Sequence, residues 1–382
     1  MRILHCITTL GRGGAESQLL MLARYQRLCL GHDVTVACLK GPNELGTAFE
    51  NEGVNVLVLG RDSVSTKALF HLFRIIRAEK FDVVHTHLLR ANFLAGITAR
   101  LCSARLVVAH KHNDDIQMKN WLFAIVHDLL SRFTDDVVIY LSDYVKWFFE
   151  NQGILPAKVG YVVHYGFDRT IYPEPCLDQR ARLGIEKTSP IIATLSRIDP
   201  QKGIEILIQA FERLREDIFN AHLIVAGRAT QDKRYEKKIH DMVSRSPARD
   251  AIHFIGHHQN PAEIYQAADC FVLASRWEGF GLVLLEAMMF GVPIVATSVS
   301  AIPEVVRDGI DGILVPAGNV DSLCSAMKKT LRDNQVGGKY DRSMRTANLD
   351  ALSRFEPERQ FLAIDRIYRN ERPWPDIKDQ HG

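Results

Sequence analysis

Several large functional classes are argued against by what this sequence lacks. Its seven cysteines (Cys6, Cys29, Cys38, Cys102, Cys176, Cys270, Cys324) are odd in number and scattered, and no C-x-x-C occurs. That pattern argues against a disulfide framework or a cysteine zinc site, and for reduced thiols. No apolar run reaches the 18 or so residues that a bilayer-spanning helix needs. Net charge is only +2, from 47 basic and 45 acidic residues, with no long run of either sign. The concentrated basic face that tracks nucleic-acid phosphates is therefore missing, and no nucleic-acid partner is expected. G-x-x-x-x-G-K-[ST] is absent, which removes the nucleoside triphosphatase loop. D-x-D, a common clamp for a metal against a nucleotide diphosphate, is absent too. The opening MRILHCITTLGRGG has neither the apolar core nor the small-residue cleavage site of a signal peptide. It reads as a buried strand followed by a glycine loop, and a cytoplasmic location is expected.

What is present is an ordinary globular composition, 47% hydrophobic and 24% charged, over 382 residues. That length exceeds one typical core and suggests two domains. Short apolar runs alternate with amphipathic segments of helical length throughout. In the first half the strand candidates are Arg2–Thr8, Asp33–Leu39, Val54–Leu59, Val83–His87, Leu106–Ala109 and Asp136–Leu141. Such alternation predicts a parallel sheet covered on both faces. The pattern breaks near Gly166–Lys187 in a polar, proline-containing stretch and then restarts with PIIATLSR. Domains are therefore expected at 1–168 and 169–355, followed by a helix and a polar tail over 356–382. Ligands of doubly wound folds bind outside the carboxyl ends of the strands.

Three stretches carry chemistry. Gly11, Gly13 and Gly14 lie between the first strand and a helix, where a backbone can approach an anion. A plain tight turn fits the same residues. A dinucleotide fingerprint fits poorly, because Glu16 replaces its third glycine. The second stretch, LSRIDPQKGIEIL, places Arg197 and Lys202 after a buried strand, with Gly203 opening a helix. Two cations and a helix N-terminus suit a diphosphate, although two solvated loop charges would look alike. The third, RWEGFGLVLLEAM, sets Glu278 and Glu286 eight residues apart around a Gly-Phe-Gly turn. Glu286 falls among apolar helical neighbours, an odd place for a carboxylate unless it binds something or pairs with a basic residue.

In order along the chain, GRGGAE, R-x-D-P-x-K-G, EGFGLVLLE, GVPIVAT and IPEVV resemble the retaining glycosyltransferases of family 4 over roughly residues 1–370. The resemblance implies the GT-B architecture, two Rossmann-like doubly wound domains facing a central cleft, with a C-terminal helix returning to the first. It implies a nucleotide-diphosphate sugar donor on the second domain and a glycan or lipid-linked acceptor mainly on the first. Arg197 and Lys202 would then grip the diphosphate. Glu286 would bind ribose hydroxyls and Glu278 the transferred sugar. Main-chain amides of Phe280, Gly281 and Leu282 would point at sugar or phosphate, and Gly13 and Gly14 would close over the phosphates. A histidine near the sugar would be His112, with His110 as the alternative. GRAT at Gly227–Thr230 departs from the family's G-x-G, and His164-Tyr165-Gly166 stands where Asn-Gly is common. His85 and His87, in VVHTH, are expected to line the cleft or to be structural.

No cofactor and no metal are expected, since two cations can neutralise the leaving diphosphate. Front-face attack is favoured over double displacement, because Glu278 is the one motif carboxylate near the sugar and its implied role is hydroxyl binding. An epimerase or phosphorylase on this fold, or a non-catalytic nucleotide-sugar binder, is the alternative. KNWLFAIVHDLLSRF, from Lys119, is read either as core or as a peripheral contact with the inner face of a membrane.

Overall fold

The computed structural model describes residues 1–114, 116–153, 155, 157–171, 177–228, 232–335 and 350–373. Cys176, Ala229–Thr230 and the end of the polar tail, from 374, lie outside them. Two compact units form. One is Met1–Gly166 together with the segment from Pro357, and the other is Phe167–Glu356.

The first unit is built on seven parallel strands, β1 (Arg2–Ile7), β2 (Asp33–Cys38), β3 (Asn55–Val58), β4 (Val83–His87), β5 (Leu106–Lys111), β6 (Val137–Tyr140) and β7 (Gly160–Val162). Their spatial order is β3-β2-β1-β4-β5-β6-β7. Alternate side chains of a strand point to opposite faces, so register decides which residues meet. Ile3, Val83 and Val108 pack on one face against Leu22 of α1 (Gly14–Leu28) and Phe361 and Ile364 of the C-terminal helix Pro357–Tyr368. Leu4, Cys6, Val84 and Val107 pack on the other. Their cover comes from Leu72 and Ile76 of α2 (Thr66–Glu79) and Ala91, Ala95 and Ala99 of α3 (Leu89–Leu101). The alanines recur every fourth residue, so α3 lays a smooth stripe on the sheet.

The C-terminal helix is tied to this unit by polar contacts as well. Gly166 donates its N–H to Gln360 Oε1 at 2.7 Å, and its carbonyl accepts from Gln18 Nε2 at 2.9 Å. A Cβ on Gly166 would lie 2.3 Å from Pro357 Cα, so only glycine fits this approach. Asp365 meets His32 Nε2 at 2.7 Å.

The second unit has six parallel strands, β8 (Ile191–Leu195), β9 (His222–Ala226), β10 (Ile252–Gly256), β11 (Cys270–Leu273), β12 (Ile294–Thr297) and β13 (Ile313–Val315). Their order is β10-β9-β8-β11-β12-β13. Ile192, Val225 and Val272 pack on a core supplied by α5 (Ile204–Asp217), α6 (Lys233–Ser244) and a long helix Val320–Gln335. Each sheet reverses its winding once, between β1 and β4 and between β8 and β11. These reversals are the switch points at which such sheets open a crevice.

Two differences from the sequence reading bear on the site. The edge strands β7 and β13, three residues each, are too short to show a pattern. β5 also runs two residues past Ala109, because His110 and Lys111 continue its pairing with β6. His110 is therefore a strand residue and not part of a loop.

Asp311, fully buried, holds the end of the second unit together. It accepts from Arg307 through Nε at 2.8 Å and Nη2 at 2.7 Å, and from Arg354 Nη2 at 3.3 Å. Asp311→Ala should lower unfolding free energy by about 2–3 kcal/mol, less than for a fully buried pair because Arg307 stays partly wet. Urea midpoints of the two proteins measure this, and equal midpoints would contradict the assignment.

Candidate functional site

In the second unit the loops that leave β8 and β11 are laced together at the switch point. Arg276 donates its main-chain N–H to the Gln201 carbonyl at 2.7 Å. The Gln201 amide donates to the Trp277 carbonyl at 3.0 Å, and its Oε1 accepts from Arg197 Nη2 at 3.0 Å. Arg276 also reaches buried Glu205 of α5 at 2.9 Å, which anchors the start of the RWEGFG turn. Glu205 is held below the usual glutamate range. Burial pushes the other way, but the Tyr235 hydroxyl bond and the Arg276 and Lys238 charges outweigh it.

Two glycines let the loops close. Gly203 has φ +60°, and a Cβ there would lie 2.3 Å from the Ala274 carbonyl oxygen. Gly281 has φ +87° and is the N-cap of α7 (Leu282–Met289). Both α5 and α7 begin at such a glycine with no side-chain cap, so the positive ends of two helices are left to other acceptors. Gly227, in the sequence that departs from G-x-G, has φ +141°, and a Cβ would lie 1.9 Å from the Ser196 carbonyl oxygen. Packing against the β8 loop accounts for that glycine without any ligand.

The charged side chains fall into pairs. Lys202 Nζ lies 2.5 Å from Glu278 Oε2, and both side chains are 12% exposed. Ser275 Oγ donates to the same oxygen at 3.1 Å. Lys202 thus meets a buried carboxylate 76 positions away in the sequence. Arg197 is exposed at the rim. Glu286, half-buried on α7, accepts the Tyr265 hydroxyl at 2.7 Å. A tyrosine hydroxyl is thus one partner of this carboxylate. Phe280 is buried edge-on against Phe355, 5.6 Å between centroids, so its side chain belongs to the core. The Phe280–Leu282 segment is left its main chain for any ligand.

In the first unit the glycine loop caps α1 through Gly13. Glu16, at the third helical position, turns back on it. A Cβ at Gly13 would lie 2.4 Å from Glu16 Oε2. An acid thus already occupies the positive end of α1, which opposes a second anion there.

Behind that loop five histidines share one face of the sheet. His5 is in register with His85, and His87 with His110. His87 and His112 follow two positions after His85 and His110, so period-2 alternation brings all five together. They are all buried, so His85 and His87 look inward and do not line an open surface. A hydrogen-bonded chain runs through them. Tyr165 OH meets His112 Nδ1 at 2.5 Å, His112 Nε2 meets His87 Nδ1 at 3.1 Å, and His87 Nε2 meets His5 Nδ1 at 3.0 Å. His5 Nε2 then meets Gln26 Oε1 at 2.8 Å. Gln26 Nε2 bonds the Tyr368 hydroxyl at 3.4 Å, and that hydroxyl meets His85 Nδ1 at 2.5 Å. A carboxamide oxygen only accepts, so neutral imidazoles must all donate toward Gln26.

Arg197, Lys202, Glu278 and the α7 N-terminus therefore gather around β8 and β11, with Glu286 on α7. Gly13, Gly14, His110 and His112 belong to the first unit. Sequence reading missed Gln201, Ser275, Tyr265, Gln26 and Tyr368. A polar Gln26 on the buried face of α1 was a usable signal, whereas Ser275 and Tyr265 become partners only through tertiary contact.

Comparison with known proteins follows the same division. The model of glycosyl transferases group 1 matches residues 177–348, and that of Glycosyltransferase Family 4 matches residues 12–170. The lipopolysaccharide core biosynthesis mannosyltransferase LpsB of Rhizobium meliloti is 30% identical over 218 residues, 55% of this chain and 60% of that protein. The chain thus matches less than two thirds of that relative's length. The alpha-maltose-1-phosphate synthase of Mycolicibacterium smegmatis is 27% identical over 376 residues, 91% of this chain and 93% of that one. Anabaena HepE, solved with UDP-glucose, superposes with a TM-score of 0.85 at 22% identity, covering 97% of this chain and 100% of that chain. Sucrose-phosphate synthase of Thermosynechococcus elongatus gives 0.79 at 19% identity, covering 97% and 99%. The fold is GT-B.

Burial lowers the pKa of His5 to about 4 and of His112 to about 3. An unfolded histidine titrates near 6.5, so below that pH the unfolded chain takes up protons that the folded chain refuses. Stability should therefore fall by about 1.4 kcal/mol per pH unit for each of these two residues between pH 6.5 and 4. Urea unfolding at pH 7 and pH 5 reads the effect, and equal stabilities would contradict neutral burial.

Proposed function

The chain belongs to the group 1 glycosyltransferases, and from that premise we propose that it moves a sugar from a nucleotide-diphosphate donor to an acceptor hydroxyl. The acceptor is a glycan or lipid-linked glycan, the anomeric configuration is retained, and no metal acts at the diphosphate. The observation that carries this reading is the paired device at β8 and β11. Lys202 is held on Glu278, Arg197 rests on Gln201 and meets no carboxylate among the described residues, and two helices begin without a side-chain cap beside them.

In this reading the donor diphosphate takes Lys202 and Arg197 as counter-cations. Glu278, relieved of its lysine, turns its oxygens to sugar hydroxyls while Ser275 keeps it oriented. Glu286 accepts ribose hydroxyls, a suitable task for an ionised carboxylate already set in place by Tyr265. Charge that builds on the departing diphosphate is stabilised by fixed cations and helix N-termini and not by proton transfer from a side chain. The departing oxygen takes the acceptor proton on the same face, so no carboxylate nucleophile is required. Gly13, Gly14 and His112 are assigned to the reaction by the family resemblance alone. The ring nitrogens of His112 are engaged by His87 and Tyr165, which leaves its ring edge and main chain for a sugar.

The lipid-linked acceptor draws support from α4 (Trp121–Thr134) of the first unit. Among the described residues no helix is long and apolar enough to cross a membrane. Yet Trp121 (71% exposed), Leu122, Val126, Leu129 and Phe133 (58%) form one exposed stripe along α4. The sequence alone left this stripe open between core and surface. An amphipathic helix with an exposed aromatic end suits the interfacial zone of a membrane.

Arg197→Ala and Lys202→Ala should each lower turnover about 10²–10³-fold, the loss typical of one transition-state donor. Arg197 is the cleaner test, because Lys202→Ala also strands Glu278 and should lower the melting temperature. Turnover by the wild type should not rise when Mg2+ or Mn2+ is added. Near-normal turnover in both variants, or strict dependence on those ions, would sink the leaving-group reading. For the membrane contact, Leu129→Ser/Phe133→Ser should abolish co-sedimentation with phosphatidylglycerol vesicles. A wild type that stays in the supernatant, or a double variant that still pellets, would overturn it.

A further inference from the structure

The histidine cluster of the first unit does more than the transfer reading asks of it. Its members are neutral, buried and close, and one is wholly unsatisfied. Among the described residues neither ring nitrogen of His110 has a hydrogen-bond partner, although the residue is 1% exposed. Leaving such groups bare in a protein interior forfeits their hydration with nothing in return, so an unmet donor or acceptor there calls for a partner.

We propose that His87, His110 and His112 form a site for one divalent transition-metal ion of borderline hardness, with Zn2+ as the type. One nitrogen from each of the three lies within 4.8 Å of the others. His87 Nδ1 and His112 Nε2 are 3.1 Å apart. Two imidazole nitrogens bound to a tetrahedral zinc at about 2.0–2.1 Å stand roughly 3.3–3.4 Å apart, so little movement is needed. A nitrogen of His110 supplies the third ligand, and three histidines leave the fourth position of a tetrahedral ion open.

The outward sides of the ligands are already prepared. Metal-bound histidines usually give their second N–H to an acceptor that fixes the ring. His87 Nε2 faces His5 Nδ1 at 3.0 Å, and His112 Nδ1 faces the Tyr165 oxygen at 2.5 Å. The proton count closes without a co-reactant. His87 already carries its proton on Nε2, with Nδ1 as the lone pair. His112 moves its single proton from Nε2 to Nδ1, where the Tyr165 oxygen accepts it, and the Tyr165 hydroxyl hydrogen rotates away. No proton is released. His5, His85 and His87 form a second group of three, but it draws on the same His87. In that group each nitrogen of His5 is already engaged, by Gln26 and by His87.

The site differs in chemistry from a diphosphate clamp. Imidazole nitrogens select zinc-like ions, whereas Mg2+ and Mn2+ prefer oxygen. It rests on the first unit alone and stands or falls separately from the transfer reading. A bound ion would join the carboxyl ends of β4 and β5 and fix the ring of His112.

The test uses the full-length chain without a purification tag, stripped by chelator and dialysed, then titrated with Co2+ and Zn2+. The expected result is one zinc per chain and a cobalt form with the intense visible bands of a four-coordinate site. His110→Phe keeps the ring and deletes both nitrogens, and should weaken zinc affinity by more than roughly 100-fold. Tyr165→Phe should weaken it roughly 10–100-fold, as loss of an orienting partner does. Exposed His71 serves as control, and His71→Ala should bind as the wild type does. Far-UV circular dichroism checks that each variant is folded, and His87→Gln replaces His110→Phe if that protein is not. A folded wild type that takes up no zinc overturns the site. So does a folded ligand variant that keeps wild-type affinity.

Discussion

A parallel sheet covered on both faces has almost no place for exposed chemistry except the carboxyl ends of its strands. That constraint organises both units of this chain. Where winding reverses, between β1 and β4 and between β8 and β11, neighbouring connections leave in opposite directions and their first residues become accessible. The motif residues of each unit cluster at its reversal. In the second unit the loops after β8 and β11 are adjacent because the strands are, and Gln201 joins them through its main chain and its side chain. Everything the candidate site does depends on that adjacency. Lys202 and Glu278 are far apart in sequence and meet only because β8 pairs with β11.

The same constraint explains why the first unit looks so different at its switch point. Four histidines lie within its strands and a fifth follows β5, and parallel register turns them to one face. Histidines at positions that would be apolar in most sheets therefore form a continuous buried cluster under α1 and the C-terminal helix. Desolvation keeps them neutral, and the carbonyl oxygen of Gln26 sets the direction in which they donate. Tyr368 carries this network to the last helix, so the C-terminal segment is part of the interior of the first unit and no mere appendage.

Much of the site was readable from spacing. Arg197 and Lys202 after a buried strand, glycine at the start of the next helix, and E-x7-E around Gly-Phe-Gly all placed chemistry at strand ends, where it stands. The identity of partners was not readable. Glu286 was expected to bind a ligand or to pair with a basic residue, and it accepts the hydroxyl of Tyr265, which arrives from a preceding helix. Gly227, in the turn that departs from the family's G-x-G, is required by backbone packing. The extension of β5 to Lys111 moved His110 out of a loop, since pairing with β6 and not local propensity ends that strand.

Composition, strand–helix alternation and motif order were determined by the sequence itself: two doubly wound units, the broad family, and the strand ends that carry the charged residues. These are local or additive properties, legible without knowing what touches what. Tertiary structure alone decided that Lys202 rests on Glu278, that Glu16 occupies the positive end of α1, that the α4 stripe faces outward, and that five histidines converge. Each of those is a through-space pairing, and the distance along the chain between its members holds no record of the distance between them in the fold.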